Sequence, residues 1–163
     1  MCNMLIVDDD PDIANTLCEA TSEVAEIKCW SAKTIAEAKS ELAGKHVGIV
    51  LLDMRLDGES GKDLAKFVNN NYPDAIIVAF TGYPDTIHSV ELLKYIDDFL
   101  YKPVEIATLS DRMMTWMIAS NRKRKINDTL TRIRAEHQES LEEAREVRQR
   151  VEAILGEALH HDG

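Results

Sequence analysis

No apolar run in this sequence reaches 18 residues, so no segment reads as a membrane span. No basic stretch precedes an apolar one at the N-terminus, so no secretion signal is expected. Cysteine is scarce: Cys2, Cys18 and Cys29 are odd in number, scattered, and without a Cys-x-x-Cys pair. That argues against a disulfide scaffold or a zinc ribbon and for a reducing compartment; the expectation is a soluble, cytoplasmic chain. Positive charge is also short, with 19 Lys and Arg against 29 Asp and Glu and a net charge of -10. The deficit is local. Residues 119–163 hold nine basic and nine acidic side chains, which leaves ten basic and twenty acidic in the first 118. So acidic a surface repels nucleic acid, and DNA is not an expected partner of this part. Proline and glycine are missing between Val104 and Ile154, so nothing there interrupts a helix.

Against these absences stand 163 residues, 45% of them hydrophobic. That is enough for one domain with a real core and about 40 residues to spare. Short apolar runs alternate with helical patterns. The runs are Met4 to Val7, Val47 to Leu52, Ala75 to Phe80 and Phe99 to Tyr101, and Glu26 to Trp30 is a short alternating strand candidate. Helices are expected over 11–24, 34–43, 61–71 and 85–96, and again after Pro103. Unbroken apolar runs such as Val47 to Leu52 suit strands buried on both faces. Strand–helix alternation five times over argues for a parallel sheet covered on both sides. In such sheets the site lies beyond the carboxyl ends of the strands.

Those ends carry charge. Asp8, Asp9 and Asp10 follow the first run, Asp53 the third, Thr81 and Gly82 the fourth, and Lys102 and Pro103 the fifth. Asp10 before Pro11 reads as a helix N-cap with proline at the first helical position. Three carboxylates this close need compensation. A hard divalent cation such as Mg²⁺ supplies it, bound by a few carboxylates and water. A carboxylate can also act as a nucleophile toward phosphorus, and metal, ammonium and hydroxyl groups stabilise the charge of a transferring phosphoryl group.

The chain resembles the receiver domains of two-component response regulators over residues 1–118. The resemblance rests on Val7-Asp8-Asp9, on Leu52-Asp53-Met54-Arg55-Leu56 with Gly58 and Gly61, on Phe80-Thr81-Gly82, and on Phe99-Leu100-Tyr101-Lys102-Pro103. Each motif falls at an expected strand end and in order, which makes the set far more specific than any one of them. The resemblance implies an α/β fold, a doubly wound five-stranded parallel sheet in the order 2-1-3-4-5, here with a long C-terminal helix. It implies that Asp53 is the phosphoacceptor. Asp8 and Asp9 would hold Mg²⁺ together with Asp53 and the backbone carbonyl of Arg55. Thr81 would bond a phosphoryl oxygen, Lys102 would pair with the phosphoryl group, and Phe99 sits at the position of an aromatic switch that follows Thr81. The Lys102–Pro103 bond is expected to be cis. Departures from the family pattern are Asp57 in place of a proline, and Tyr95-Ile96 in place of a small pair. Arg55 and Tyr83 stand two positions after Asp53 and Thr81, where the family controls water access; their size implies a slow loss of phosphate. Gly82 is small enough to leave a phosphoryl group room.

Beyond residue 118 the helical pattern continues, and 119–158 would span about 60 Å as one helix. Ile126, Ile133, Ser140, Val147 and Ile154 form one heptad set (d), and Leu130, His137, Ala144, Val151 and Ala158 the other (a). This reads as a coiled coil. Glu143 and Arg148 make an attractive flanking pair in a parallel dimer, whereas Leu141 and Leu155 widen the stripe. A homodimer through this helix is expected; a tetramer, antiparallel pairing and a helix folded back on the first part stay open. Arg122 to Lys125 read as a solvated basic collar or as a simple answer to the acidic first part. His137 reads as a polar seam residue rather than a phosphoacceptor. The expected organisation is a receiver over 1–118, a helical extension over 119–158 and a disordered tail over 159–163, where His160-His161-Asp162 reads as frayed chain rather than a metal site.

The functional expectation is a response regulator that takes a phosphoryl group on Asp53 from a sensor histidine kinase or a histidine phosphotransfer protein. It would signal through a downstream protein partner or through its own oligomer, without DNA or membrane. No output domain is visible after the helix. The chain would catalyse its own phosphorylation but not turn over a separate substrate. The alternative is a constitutive coiled-coil scaffold that uses the receiver only for docking. A haloacid-type phosphatase would need an aspartate where Arg55 stands.

Overall fold

The computed structural model describes residues 3–25, 27–83 and 90–160. Five parallel strands form the main sheet: β1 (Met4–Val7), β2 (Cys29–Ala32), β3 (Ile49–Asp53), β6 (Ile76–Thr81) and β7 (Asp98–Tyr101), in the order β2-β1-β3-β6-β7. With the two-residue strands β4 (Arg55–Leu56) and β5 (Glu59–Ser60) set aside as a separate hairpin, this is the expected order 2-1-3-4-5. The helices are α1 (Pro11–Ala25), α2 (Ile35–Gly44), α3 (Gly61–Asn71) and α4 (Ile106–His160).

Alternation along each strand builds two cores. Leu5, Val7, Val50, Leu52, Ile77 and Ala79 point to the face where Leu42 of α2 and Leu64 and Val68 of α3 pack. Met4, Ile6, Ile49, Leu51, Val78 and Phe80 point to the other, against Leu17 of α1 and Leu109, Met113 and Trp116 of α4. Local signals set the helix starts. Asp10 Oδ1 accepts the amides of Asp12 (2.9 Å) and Ile13 (3.3 Å) and caps α1. Thr34 Oγ1 accepts the Glu37 amide at 3.2 Å and caps α2.

Several expectations need correction. The second strand lies at Cys29–Ala32, later than the candidate from Glu26 to Trp30; Glu26 is outside the described residues. Of the helix expected over 85–96, residues 85–89 are outside the described residues, and the remainder forms a turn and a single 3-10 turn at Leu92–Lys94. There Leu92 is buried and Tyr95 and Ile96 are half-buried on the same core, while Val90 and Leu93 stay exposed; the Asp97 amide donates to the Ile77 carbonyl, which turns the chain into β7. Cys18 and Cys29 are joined by a disulfide between α1 and β2, where the sequence reading had no pairing.

The chain divides into compact units at Met1–Arg124 and Lys125–Gly163. Three contacts hold α4 to the first unit, two of them from beyond residue 118. Trp116 Nε1 donates to Asp98 Oδ2 at 2.8 Å, Ser120 Oγ donates to the Asp74 carbonyl at 3.3 Å, and Lys123 Nζ reaches Asp97 Oδ1 at 2.6 Å. Lys123 therefore answers the acidic first part, the second of the two readings of this run, rather than standing in a solvated collar. The second unit is helical to His160, and residues 161–163 of the expected tail are outside the described residues. The helix runs through Gly156, because one glycine weakens a helix by about 1 kcal/mol without ending it. Arg148 and Glu152 pair along it at 2.8 Å. Ile126, Leu130, Ile133, Leu141, Val147, Val151 and Ile154 are exposed on it. Among the described residues no helix is long and apolar enough to cross a membrane.

Candidate functional site

Parallel strands that end together deliver their next residues to one edge. Asp8 follows β1, Asp53 closes β3, Thr81 closes β6, and Lys102 follows β7. Register keeps these ends level: Val7 pairs with Leu52, Asp53 with Phe80, and Thr81 with Tyr101. One oxygen each of Asp8, Asp9 and Asp53 lies within 4.8 Å of the others. Asp8 is fully buried, Asp53 nearly so, and Asp9 exposed. Lys102 Nζ bridges two of them, 2.6 Å from Asp8 Oδ2 and 2.5 Å from Asp53 Oδ2. The same ammonium stands 4.8 Å from the Phe80 ring centroid, a cation–π contact beneath the ion pairs.

The remaining carboxylate oxygens are also engaged. Asp8 Oδ1 accepts the Asp10 amide at 3.1 Å, and Asp53 Oδ1 accepts the Arg55 amide at 2.8 Å. Burial drives the Asp8 carboxyl above its ordinary range, against the opposing hydrogen bond from Lys102, and the Asp53 charge adds to the rise. Burial pulls the Lys102 ammonium down, but the hydrogen bonds and charges of Asp53 and Asp8 together outweigh it, and the net shift is upward. The carboxylates are thus an acid cluster held by one cation.

Backbone shape fixes the loop after Asp53. Gly58 has φ +74°, the left-handed region that favours glycine, and turns the chain between β4 and β5. Gly61 begins α3 flat against the Asp53 carbonyl, with no room for a side chain: a Cβ there would also stand 2.8 Å from Met54 Cα. At Gly82 the space is open, since a Cβ would meet only Lys102 Cβ at 3.9 Å.

Of the residues singled out from the sequence, Asp8, Asp9, Asp53 and Lys102 converge. Thr81 is buried beside them; its carbonyl accepts the Lys102 amide at 2.9 Å and its hydroxyl accepts the Tyr83 amide at 3.1 Å. Arg55 gives its amide to Asp53 and stacks its guanidinium 4.1 Å from the Tyr83 ring centroid, so these two side chains meet at the rim. Phe99 lies outside the cluster, 37% exposed and packed on the Tyr101 ring at 5.4 Å. The Lys102–Pro103 peptide bond is cis. A cleft of about 500 Å³ adjoins Lys102, walled by Ile13, Leu17, Phe80, Pro103 and Val104. The sequence reading did not foresee this cleft, nor the closeness of Gly61 to Asp53. Nor did it foresee the role of Asp97 and Asp98, whose carboxylates hold α4; an acidic pair ahead of a strand gives no sign of its partners.

Residues 4–114 match the response regulator receiver domain family, and the chain belongs to it. Among curated proteins it is 35% identical over 112 residues to the response regulator protein PilR of Pseudomonas aeruginosa, covering 68% of this chain and 25% of PilR. It is 31% identical over 104 residues to the photosynthetic apparatus regulatory protein RegA of Rhodovulum sulfidophilum, covering 63% of this chain and 56% of RegA. The chain therefore spans a quarter to about half the length of these relatives. Among solved structures it is similar to the response regulator TrrA of Thermotoga maritima in complex with Mg²⁺ and BeF, with a TM-score of 0.64 and 25% identity over 71% of this chain and 99% of that one. A CheY-like receiver domain protein from Methanospirillum hungatei shares the fold, with a TM-score of 0.69 at 23% identity over 75% of this chain and 98% of that one.

Proposed function

We propose that this chain is a response regulator whose Asp53 accepts a phosphoryl group from a phosphohistidine of a histidine kinase or histidine phosphotransfer protein in the cytoplasm. The observation that carries the reading is Lys102 Nζ held between Asp8 and Asp53, with Asp9 completing a cluster of three carboxylates. An Asp53 oxygen forms the bond to phosphorus while the phosphorus–nitrogen bond breaks and its electron pair leaves with the imidazole. Lys102, already on Asp53 Oδ2, pairs with the phosphoryl oxygens as charge moves onto them. Thr81 turns its hydroxyl proton from the Tyr83 carbonyl, 3.5 Å away, to a phosphoryl oxygen, and Phe99 turns inward as Thr81 moves. The donor set fits a metal: three carboxylates within 4.8 Å are the hard oxygen ligands that Mg²⁺ takes, and the Arg55 carbonyl would join Asp8, Asp9 and Asp53. When bound, the ion neutralises charge between the carboxylates and the incoming phosphoryl group. The apolar walls of the cleft beside Lys102 offer the donor protein a surface. The chain catalyses its own modification and is not an enzyme with turnover on a second substrate.

The test is intact mass after incubation with acetyl phosphate and Mg²⁺. One phosphoryl group is expected on the wild type and none on Asp53→Asn; an unchanged gain in that variant would sink the assignment.

The output is proposed to be protein contact, including self-association through the apolar heptad positions of the Lys125–Gly163 unit. The exposed Ile126, Leu130, Ile133, Val147, Val151 and Ile154 support this. Light scattering with Mg²⁺, with and without beryllium fluoride, measures it. A dimer is expected, and a monomer under both conditions would reject the coiled coil.

A further inference from the structure

Cys18 lies on α1 and Cys29 opens β2, 11 positions later, with their Cα atoms 5.2 Å apart and their sulfurs joined. That separation is within the span two cysteines bridge without moving the backbone. Both side chains are half-buried, and β2 is an edge strand of the sheet, so small reagents reach the sulfurs while the neighbouring Leu17 and Ile27 stay buried. Neither cysteine belongs to the acidic site. Cys29 Sγ lies 3.8 Å from the Trp30 carbonyl oxygen, an acceptor for the proton of the reduced thiol.

We propose that Cys18 and Cys29 form a reversible modification site, oxidised to the disulfide by a hydroperoxide and reduced by a dithiol. One thiolate attacks a peroxide oxygen; the oxygen–oxygen bond breaks, hydroxide leaves and a sulfenic acid forms. The second sulfur attacks the first, the disulfide bond closes and water departs. Two thiols lose two electrons to the peroxide, and with hydrogen peroxide two waters result. Reduction proceeds by thiol–disulfide exchange with the dithiol. The closed form ties the helix that follows the Asp8–Asp10 cluster to the sheet edge, without touching Asp53 or Lys102. Cytosolic disulfides are more often such transient links than permanent staples.

The experiment uses the full chain with Cys2→Ser, which leaves two thiols. It is reduced with dithiothreitol and desalted, treated with graded hydrogen peroxide, alkylated with iodoacetamide and weighed intact. Two labels are expected before oxidation, none after it, and two again after dithiothreitol, with the protein monomeric in subunit mass throughout. The oxidised form should melt roughly 5–10 °C higher than the reduced form, and Cys29→Ser should abolish that difference. Two labels persisting after peroxide, oxygen adducts in place of the disulfide, or disulfide-linked subunits would each overturn the proposal. So would a redox-dependent melting shift that survives Cys29→Ser. These readouts do not depend on Asp53 and remain decisive if the phosphoryl reading fails.

Discussion

Gly61→Ala sets two effects against each other at the wall of the site. Gly61 is the first residue of α3, and alanine there gains up to about 1 kcal/mol in helix propensity. That gain is the lower backbone entropy of an unfolded alanine and is counted once. Against this, the new Cβ would meet Met54 Cα at 2.8 Å and Asp53 C at 3.3 Å, with the Asp53 carbonyl oxygen closer still. Relief needs a shift of about 0.7 Å or more, given that carbon atoms prefer about 3.5–4.0 Å. The atoms in the way are backbone at the end of β3, a strand hydrogen-bonded on both sides, so they cannot rotate aside. Overpacking of this kind costs about 1–3 kcal/mol, and more where backbone must move. The clash should win, with a net loss of about 1–2 kcal/mol. The moved atom is the carbonyl of Asp53 itself, so phosphoryl uptake should fall along with stability. Urea denaturation followed by the emission of buried Trp116 gives the first quantity, and intact mass after acetyl phosphate gives the second. Gly58→Ala is the control: nothing stands within 4 Å of its Cβ, but φ +74° costs an alanine about 1–2 kcal/mol. It should lose stability while retaining uptake. A Gly61→Ala protein as stable as the wild type, with normal uptake, would refute the reasoning.

Lys102→Ala strands Asp8 and Asp53 without their cation. Without Mg²⁺ it should lose about 3 kcal/mol, as when one partner of a buried pair is removed; Mg²⁺ should then stabilise the variant more than the wild type, and equal stabilisation in urea melts would contradict this. Asp8 is shifted upward mainly by burial, so the folded chain holds that proton more tightly than the unfolded one, and ionised Asp8 is a net cost at neutral pH. Asp8→Asn should therefore be the more stable protein at pH 7 without Mg²⁺, and the advantage should shrink as acid protonates Asp8; melts at pH 7 and pH 4.5 measure both. Arg55 and Tyr83 stack at the rim of the site. Replacing both with alanine should shorten the phosphate lifetime on Asp53 several-fold, followed by loss of label after donor removal, and an unchanged lifetime would dismiss the shielding role.

The site was legible because its residues follow apolar runs. Val7 then Asp8, Leu52 then Asp53 and Tyr101 then Lys102 mark strand ends whatever the exact strand limits, and parallel pairing brings strand ends together. The start of α1 was legible for a similar reason, since Asp10 before Pro11 announces its own role, whereas Thr34, expected inside its helix, proves to be the cap. What was hidden depends on distant partners. Nothing local distinguishes Lys123, which is anchored on Asp97, from its neighbours in a basic run. Cys18 and Cys29 are unremarkable until α1 is folded back along β2. Residues 90–96 misled because Leu92, Tyr95 and Ile96 stand at helical spacing and do pack on the core, but from a single 3-10 turn. Gly61 was visible as a glycine, but its reason, the Asp53 carbonyl in the place of a side chain, belongs to the packing of α3 on β3.

Asp98 divides its two oxygens, Oδ1 accepting the Phe99 amide at 2.9 Å and Oδ2 the Trp116 indole at 2.8 Å, with Arg112 at 3.4 Å. Trp116 is only 2% exposed and is one of two tryptophans in the chain. The protein therefore carries its own optical gauge at the foot of β7: an indole whose ring proton is bound to the residue that also holds the backbone of Phe99. A shift of Phe99 confined to its side chain would leave the emission of Trp116 unmoved, whereas a slide of the whole strand would pull that hydrogen bond and change it. One unlabelled fluorescence titration with beryllium fluoride, in Trp30→Phe to silence the other ring, tells rotation from sliding.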